Sequence, residues 1–256
     1  MFLSRADRCE YRLYRRNRRR RTLTLFLLVV TALYVAAAWH HGTAHPVRHK
    51  QPIIQRATSA PSAHARPAGK RHMASAGAAL SWTSFHGIAL PASAQDGPRR
   101  TRGGLAWGFS DTRRGALLAA VNIAVRTAAQ WGPAVYQPTI RNQVTGTYAG
   151  ALLKADAAGY AALRSDGHVG AGQPAGRGYA AETAYRFTAY TPGAATVEIV
   201  TTGPGSGSAP VTAVTRISLA WLRGDWRVIA PPGGNWANSA AAATSLTGYT
   251  TFPGER

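Results

Sequence analysis

From Thr22 to Trp39 the chain reads TLTLFLLVVTALYVAAAW, eighteen positions without a single charge. At about 1.5 Å of rise per residue, a helix of this length approaches the ~20 residues a bilayer requires. A run that is apolar on every side has no face to turn to water. The pattern therefore predicts a transmembrane helix over residues 22–40. Beyond it the pattern disappears. Residues 41–80 hold no periodic apolar face, and Pro46, Pro52, Pro61 and Pro67 break any regular element. This stretch predicts a flexible linker.

Periodicity returns after residue 80. Leu80, Trp82, Phe85, Ile88 and Leu90 make an apolar lead-in, punctuated by Pro91 and Pro98, and GGLAWGFS (103–110) is a short candidate strand. Ser110, Asp111 and Thr112 are each able to cap a helix N-terminus. Next comes RRGALLAAVNIAVRTAAQWGP. It places Leu117, Val121, Ala124 and Ala128 on one face, with Leu118 and Val125 beside them. That predicts a helix stopped by Gly132-Pro133. PTIRNQV (138–144) predicts a short helix with Pro138 at its first position. YAGALLKADAAGYAALRSDG (148–167) predicts a third, with Leu152, Ala155, Gly159 and Leu163 along one stripe and a turn at Ser165-Asp166-Gly167.

The remainder alternates with period two. Tyr179, Ala181, Thr183, Tyr185, Phe187 and Ala189 share one face of a strand, with Glu182, Arg186 and Thr188 opposite. Val197 and Ile199 flank Glu198, and GPGSGSAP (203–210) connects onward. Then Val211, Ala213, Thr215, Ile217, Leu219 and Trp221 fall on one face, with Arg216 and Ser218 on the other. Gly224-Asp225 reads as a two-residue hairpin turn with glycine first, and WRVIA returns as the partner strand. Residues 241–256 read as a flexible tail. Helices first and antiparallel strands afterwards predict an α+β domain over residues 81–240, with about three helices on a curved antiparallel sheet of about four strands.

Charge gives this layout a direction. The net charge is +20 over 256 residues, and residues 1–21 contribute nine arginines against Asp7 and Glu10. With those arginines on its N-terminal side, the apolar run is oriented by the positive-inside rule. Residues 1–21 become a cytoplasmic tail and the 81–240 domain becomes extracytoplasmic, a single-pass cell-membrane protein. Two other readings compete. Ala36-Ala37-Ala38 offers small residues for signal cleavage, though the leader is long and the apolar run exceeds the usual ~7–15 residues of a signal peptide. The arginines attract phosphate, yet anionic lipid explains them equally, at about 1 kcal/mol per residue. No specific nucleic-acid partner is assigned. The chain has one cysteine, Cys9, so neither an intrachain disulfide nor a cysteine metal cluster can form.

An Ala-rich leading helix, two shorter helices and a closing W-L-R-G-D-W-R-V hairpin resemble the nuclear-transport-factor-two-like cone shared by ketosteroid isomerases and many binding domains. The whole layout of basic tail, one span, tether and outer domain resembles the bitopic assembly proteins of type IV secretion and Gram-positive conjugation machines. That resemblance implies a non-enzymatic scaffold. Its partners would be the membrane and protein subunits of an envelope complex, with self-association among the options. It carries no catalytic residue over.

Candidate chemistry is sparse. Asp111 reads as a cap, Asp166 and Asp225 as turn residues and Glu255 as part of the tail. Asp156, Glu182 and Glu198 remain. On the polar side of their strands, Glu182 and Glu198 are expected to pair with Arg186 or Arg216. His41, His45 and His49 recur every four residues, but Pro46 interrupts the helix that would align them on a metal. His86 and His168 stand alone. Trp221 and Trp226 read as core residues before interface anchors, and Trp107, Trp131 and Trp236 are equally ambiguous. No catalytic, cofactor-binding or metal-ligating residue is assigned, and no cofactor. The alternative reading is an exported enzyme or small-ligand binder using the cone cavity. A third is a cell-wall or nucleic-acid binder using the basic tether.

Overall fold

The computed structural model describes residues 79–205 and 209–253. The basic tail, the run expected to cross the membrane and nearly all of the linker lie outside the described residues, as do Cys9 and the histidines of the tether. Among the described residues no helix is long and apolar enough to span a bilayer.

Two hairpins come first. β1 (Ser81–Phe85) pairs antiparallel with β2 (Ile88–Ala92). Their turn, His86-Gly87, has φ of 51° and 95°, the pair of left-handed residues that matches the twist of a tight hairpin. The His86 ring stacks on Trp131, centroids 5.0 Å apart. β3 (Arg100–Arg102) and β4 (Leu105–Trp107) form the second hairpin.

The first helix, α1, spans Arg113–Thr127. Its cap is Thr112, whose Oγ1 accepts the Gly115 N–H at 2.9 Å; Asp111 does not serve. Gly115 is required because a Cβ there would lie 2.1 Å from the Ser110 carbonyl oxygen. Asp96 ties this end down, accepting from Ser110 Oγ and Thr112 Oγ1, each at 2.6 Å, and from Arg114 Nε at 2.5 Å. Leu117, Leu118, Val121 and Ile123 are fully buried, and Ala116, Ala119 and Ala120 let neighbouring elements approach closely. Eleven of its fifteen residues are buried. It ends at Thr127 rather than at Gly132, because residues Ala129–Trp131 tighten into a 3₁₀ turn and Trp131 Nε1 donates back to the Val125 carbonyl at 2.6 Å.

α2 (Pro133–Gln143) starts at Pro133, so Pro138 lies inside the helix rather than at its head. It runs directly into β5 (Val144–Thr145). α3 (Ala149–Gly167) continues through Ser165-Asp166-Gly167 and is closed by His168 in the left-handed region. Its buried side chains are Leu152 and Tyr160. Asp156 sits one turn from each, and its Oδ2 is buried without a hydrogen-bond partner.

The remaining strands are β6 (Ala181–Thr191), β7 (Ala194–Pro204), β8 (Pro210–Leu222), β9 (Asp225–Ile229), β10 (Ala240–Ala242) and β11 (Thr250–Thr251). They join β5 in one sheet of order β11-β6-β7-β8-β9-β5, with β10 also paired to β8. β5 lies parallel to β9, Val144 opposite Val228. This overturns the expected fold of a cone-like domain with about four antiparallel strands. Among the described residues there are three α-helices, the sheet has seven strands and is mixed, and two further two-stranded sheets precede the helices. The reason is physical. β5, β10 and β11 hold two or three residues each, too few to display an alternation, and their pairing is imposed by the elements that deliver them.

The core lies between α1 and one face of the sheet, which contributes Ala195, Val197, Ile199, Ile217, Leu219, Trp226 and Val228. The other face is crossed by the C-terminal residues. β10 follows β8, β11 follows the far edge of β6, and the link between them carries Tyr249 over Glu198. Phe252 is buried and meets Trp82 edge to face, while Trp82 Nε1 donates to the Pro253 carbonyl. The stretch expected as a tail is therefore a strap across the sheet.

The β8–β9 turn also differs from expectation. Leu222 pairs with Asp225, so the turn residues are Arg223 and Gly224, at φ 56° and 77°. Asp225 is the first residue of β9, drawn there by the contacts of its carboxylate with the loop that precedes α1.

Candidate functional site

Residues 194 to 203 of β7 alternate strictly. Ala195, Val197, Ile199, Thr201 and Gly203 face α1, while Thr196, Glu198, Val200 and Thr202 face the strap. β8 follows in register, with Glu198 opposite Arg216. On β6 the register slips. Glu182 pairs with Thr201, yet Ala184 pairs with Val200, so Thr183 is an extra residue. A bulge of one residue reverses which face later side chains occupy. Two carboxylates expected on one polar face are thereby sent to opposite sides of the sheet.

Glu198 is on the strap side. Arg186 donates to its Oε2 through Nε and Nη2 at 3.1 and 2.7 Å. Arg216 donates to Oε1 through the same two groups at 3.3 and 2.9 Å. Tyr249 Oη donates to Oε2 at 2.8 Å, and the Arg186 guanidinium lies over the Tyr249 ring. Burial pushes this carboxyl up. The hydrogen bonds from Tyr249, Arg216 and Arg186 and the Arg186 charge outweigh that effect and hold it at about 2. This cluster locks the strap to three strands.

Beside it the sheet has an opening. On that edge of β8, pairing with β10 ends at Thr215 and pairing with β9 begins at Leu219. Between them the chain leaves the sheet through the 3₁₀ turns Pro232–Gly234 and Trp236–Ser239. The result is an outer hollow of about 500 Å³, bounded by Arg216, Ser218, Ile229, Pro231, Trp236 and Asn238. Ile229 is among the exposed large apolar side chains.

A second hollow, of about 390 Å³, lies on the opposite face under α1. Val121, Ala124, Val125 and Ala128 roof it, Ile199, Ala213 and Ile217 floor it, and Trp131 and Trp236 wall it. Trp236 borders both hollows, and its Nε1 donates to Thr127 Oγ1 at 3.0 Å. Glu182 lies in the wall, 6 % exposed, and accepts from Thr201 Oγ1 at 2.6 Å.

The other candidate residues are scattered. Asp225 serves the fold, His168 ends α3, and His86 is stacked on Trp131 in a turn. Trp226 is fully buried, and Trp221 meets it edge to face at 5.4 Å. Sequence reading passed over Asp96 and left Trp236 undecided between core and interface. Asp96 carries only the signal of a lone acid before Gly97-Pro98, and Trp236 has no periodic context.

Two carboxyls give stability opposite slopes with pH. Glu198 ionises more readily folded than unfolded, so its contribution is complete above about pH 5 and is lost as pH falls from 4.5 toward 2. Asp156 is pushed the other way, from 3.8 to about 7, by burial. Its folded state binds the proton more tightly, so it costs nothing below pH 4, and the cost grows until pH 7. Asp156→Asn is therefore expected to raise the melting temperature at pH 8 by several degrees and to leave it nearly unchanged at pH 3.5. Glu198→Gln should lower it at pH 7 and converge with wild type near pH 2. Thermal unfolding of the full-length chain followed by circular dichroism reads both. An Asp156→Asn gain at pH 8 no larger than that at pH 3.5 would contradict the assignment.

No match is found among curated proteins or among solved structures. Residues 43–251 do match a family model described as a domain of unknown function, DUF8175. The match takes in most of residues 41–80, both hairpins, all three helices and the whole seven-stranded sheet, and the chain belongs to the DUF8175 family.

Proposed function

We propose that this chain is a non-enzymatic, single-pass membrane protein whose outer domain docks another protein subunit of an envelope complex. A conjugative transfer or type IV secretion apparatus is the machine its layout resembles. The arginines of residues 1–21 hold the N-terminus in the cytoplasm, residues 22–40 cross the bilayer, and the tether lets the domain stand off the surface. The family match begins at residue 43, just past the apolar run, which fits an anchor that is a separate element. The observation that carries the reading is the outer hollow. It combines an interrupted strand edge at Arg216–Ser218 with the exposed apolar Ile229, a pairing that suits an extended segment of a partner. The carboxylate beside it, Glu198, is already occupied by two arginines and a tyrosine, so its role is architectural.

The test is photo-crosslinking in intact cells, with the reactive residue placed at Ile229 and, as control, at Lys154 on α3. The expected result is an adduct from Ile229 to a channel or ATPase subunit of the apparatus, with none from Lys154. Equal labelling from both positions, or no protein adduct from Ile229, overturns it.

A further inference from the structure

The hollow under α1 is separate from the docking edge, and its lining has a chemistry of its own. Its roof and floor are aliphatic, and Trp131 and Trp236 wall it. The space exists because Ala124, Ala128 and Ala213 stop at Cβ, and at about 390 Å³ it is within the usual range for a small-molecule site. Among the described residues that line it none is Lys, Arg or His, so nothing there pairs with an anion. Glu182 is the one acid, and its carboxylate is already committed within the wall, to Thr201 Oγ1 and beyond it. A ligand of either charge would give up its water here with nothing to replace it. The polar side chains are mostly committed too. Thr127 accepts from Trp236 and donates to the Ala124 carbonyl, and Thr212 pairs with Thr202. Thr215 on β8 and Gln130 in the 3₁₀ turn after α1 remain, and neither side chain bonds to another described residue.

We infer that this hollow binds an uncharged, largely apolar molecule that carries a carbonyl or hydroxyl group, with its body between α1 and the floor of β7 and β8 and its polar group at Thr215 and Gln130. The body gains from leaving water, because roof and floor are aliphatic. An aromatic body gains further from edge-to-face or offset contact with the indoles. A hydroxyl and a carboxamide each offer both a donor and an acceptor, so Thr215 and Gln130 can meet either a carbonyl or a hydroxyl. The site commits only to this chemistry, and it stands whether or not a partner docks at the outer hollow.

Benzophenone and two charged relatives, 4-(aminomethyl)benzophenone and 4-benzoylbenzoic acid, test the inference. Each is photoactivated with the full-length chain in lipid nanodiscs at pH 7, and the labelled tryptic peptides are read by mass spectrometry. Peptide 115–126 carries Val121, Ala124 and Val125 from the roof, and peptide 155–164 of α3 is the control. Benzophenone is expected to label 115–126 saturably and to spare 155–164. It should half-saturate at about one tenth or less of the concentration that either charged probe requires. Excess diphenylmethane, which keeps the rings and lacks the carbonyl, should displace it. Combining Gln130→Met with Thr215→Val should raise the half-saturating concentration of benzophenone by about threefold to tenfold, the worth of a neutral hydrogen bond. Ala213→Leu, which fills the floor, should abolish saturable labelling of 115–126. The wild-type comparison needs no variant to fold. An amine or acid that labels 115–126 as well as benzophenone does, or benzophenone labelling there that is absent or does not saturate, overturns the inference. So does an unchanged half-saturation in the folded double variant. Crosslinking at Ile229 reports on the outer edge alone, so either proposal can fail without the other.

Discussion

Replacing Trp226 by alanine is expected to lower the stability of the folded domain by about 3–5 kcal/mol, the range seen when a large aromatic core residue is truncated. Trp226 is wholly buried at the point where β9 meets α1 and the loop before it. Its ring meets Trp221 edge to face, and its Nε1 donates to the Ser110 carbonyl at 2.9 Å. Truncation removes the packing, leaves a cavity against the helix, and strands a carbonyl in the turn that caps α1. In a domain of this size the loss corresponds to a fall in melting temperature on the order of 10 °C. Thermal or denaturant unfolding of the full-length chain measures it. Trp221→Ala, at a half-buried partner, should cost markedly less. A Trp226→Ala loss below about 1 kcal/mol would show that this indole is not a core residue.

Asp225→Ala is expected to be comparably damaging although it removes few atoms. Its carboxylate accepts three backbone N–H bonds, from Gly108 at 2.9 Å, Phe109 at 3.1 Å and Trp226 at 2.9 Å. Hydrogen bonds to a charged acceptor are each worth about 1.5–3 kcal/mol, and a donor left buried without a partner costs a similar amount. A total of about 3–5 kcal/mol follows, since the three bonds share one acceptor and do not add in full. Asp225→Asn should fall between. Its carbonyl oxygen can retain the bonds to Phe109 and Trp226, but its NH₂ then opposes the Gly108 N–H. Both residues anchor the loop between β4 and α1, so the double variant should lose less than the sum of the singles, with a coupling of about 0.5–3 kcal/mol. Strict additivity would mean that the two do not act on the same loop.

These two residues also show where sequence reading stops. Trp226 is legible as an apolar strand position opposite Trp221, because the alternation of VTAVTRISLAWL and its short return strand has a strong period of two. Asp225 next to it reads as a turn residue. Nothing local says that its carboxylate serves a loop more than a hundred residues away. Glu182 and Arg186, four apart, sit on one face by simple alternation. The extra residue at Thr183 separates them, and no pattern in AETAYRF marks it. The arginine partners of Glu198 are a different case, since neighbouring strands in the expected order place all three side chains within reach.

By itself the sequence determined the contrasts that depend on near neighbours. These are an uncharged run beside a block of arginines, a proline-broken basic stretch, a helix rich in alanine, and long strands that alternate. Only the tertiary structure decided that two- and three-residue segments join a mixed seven-stranded sheet, that the C-terminal residues strap its outer face, and that Glu182 turns into a hollow under α1. Periodicity is a property of a segment, whereas a parallel pairing, a bulge or a shared cavity arises where segments distant along the chain meet, and that meeting is settled by packing.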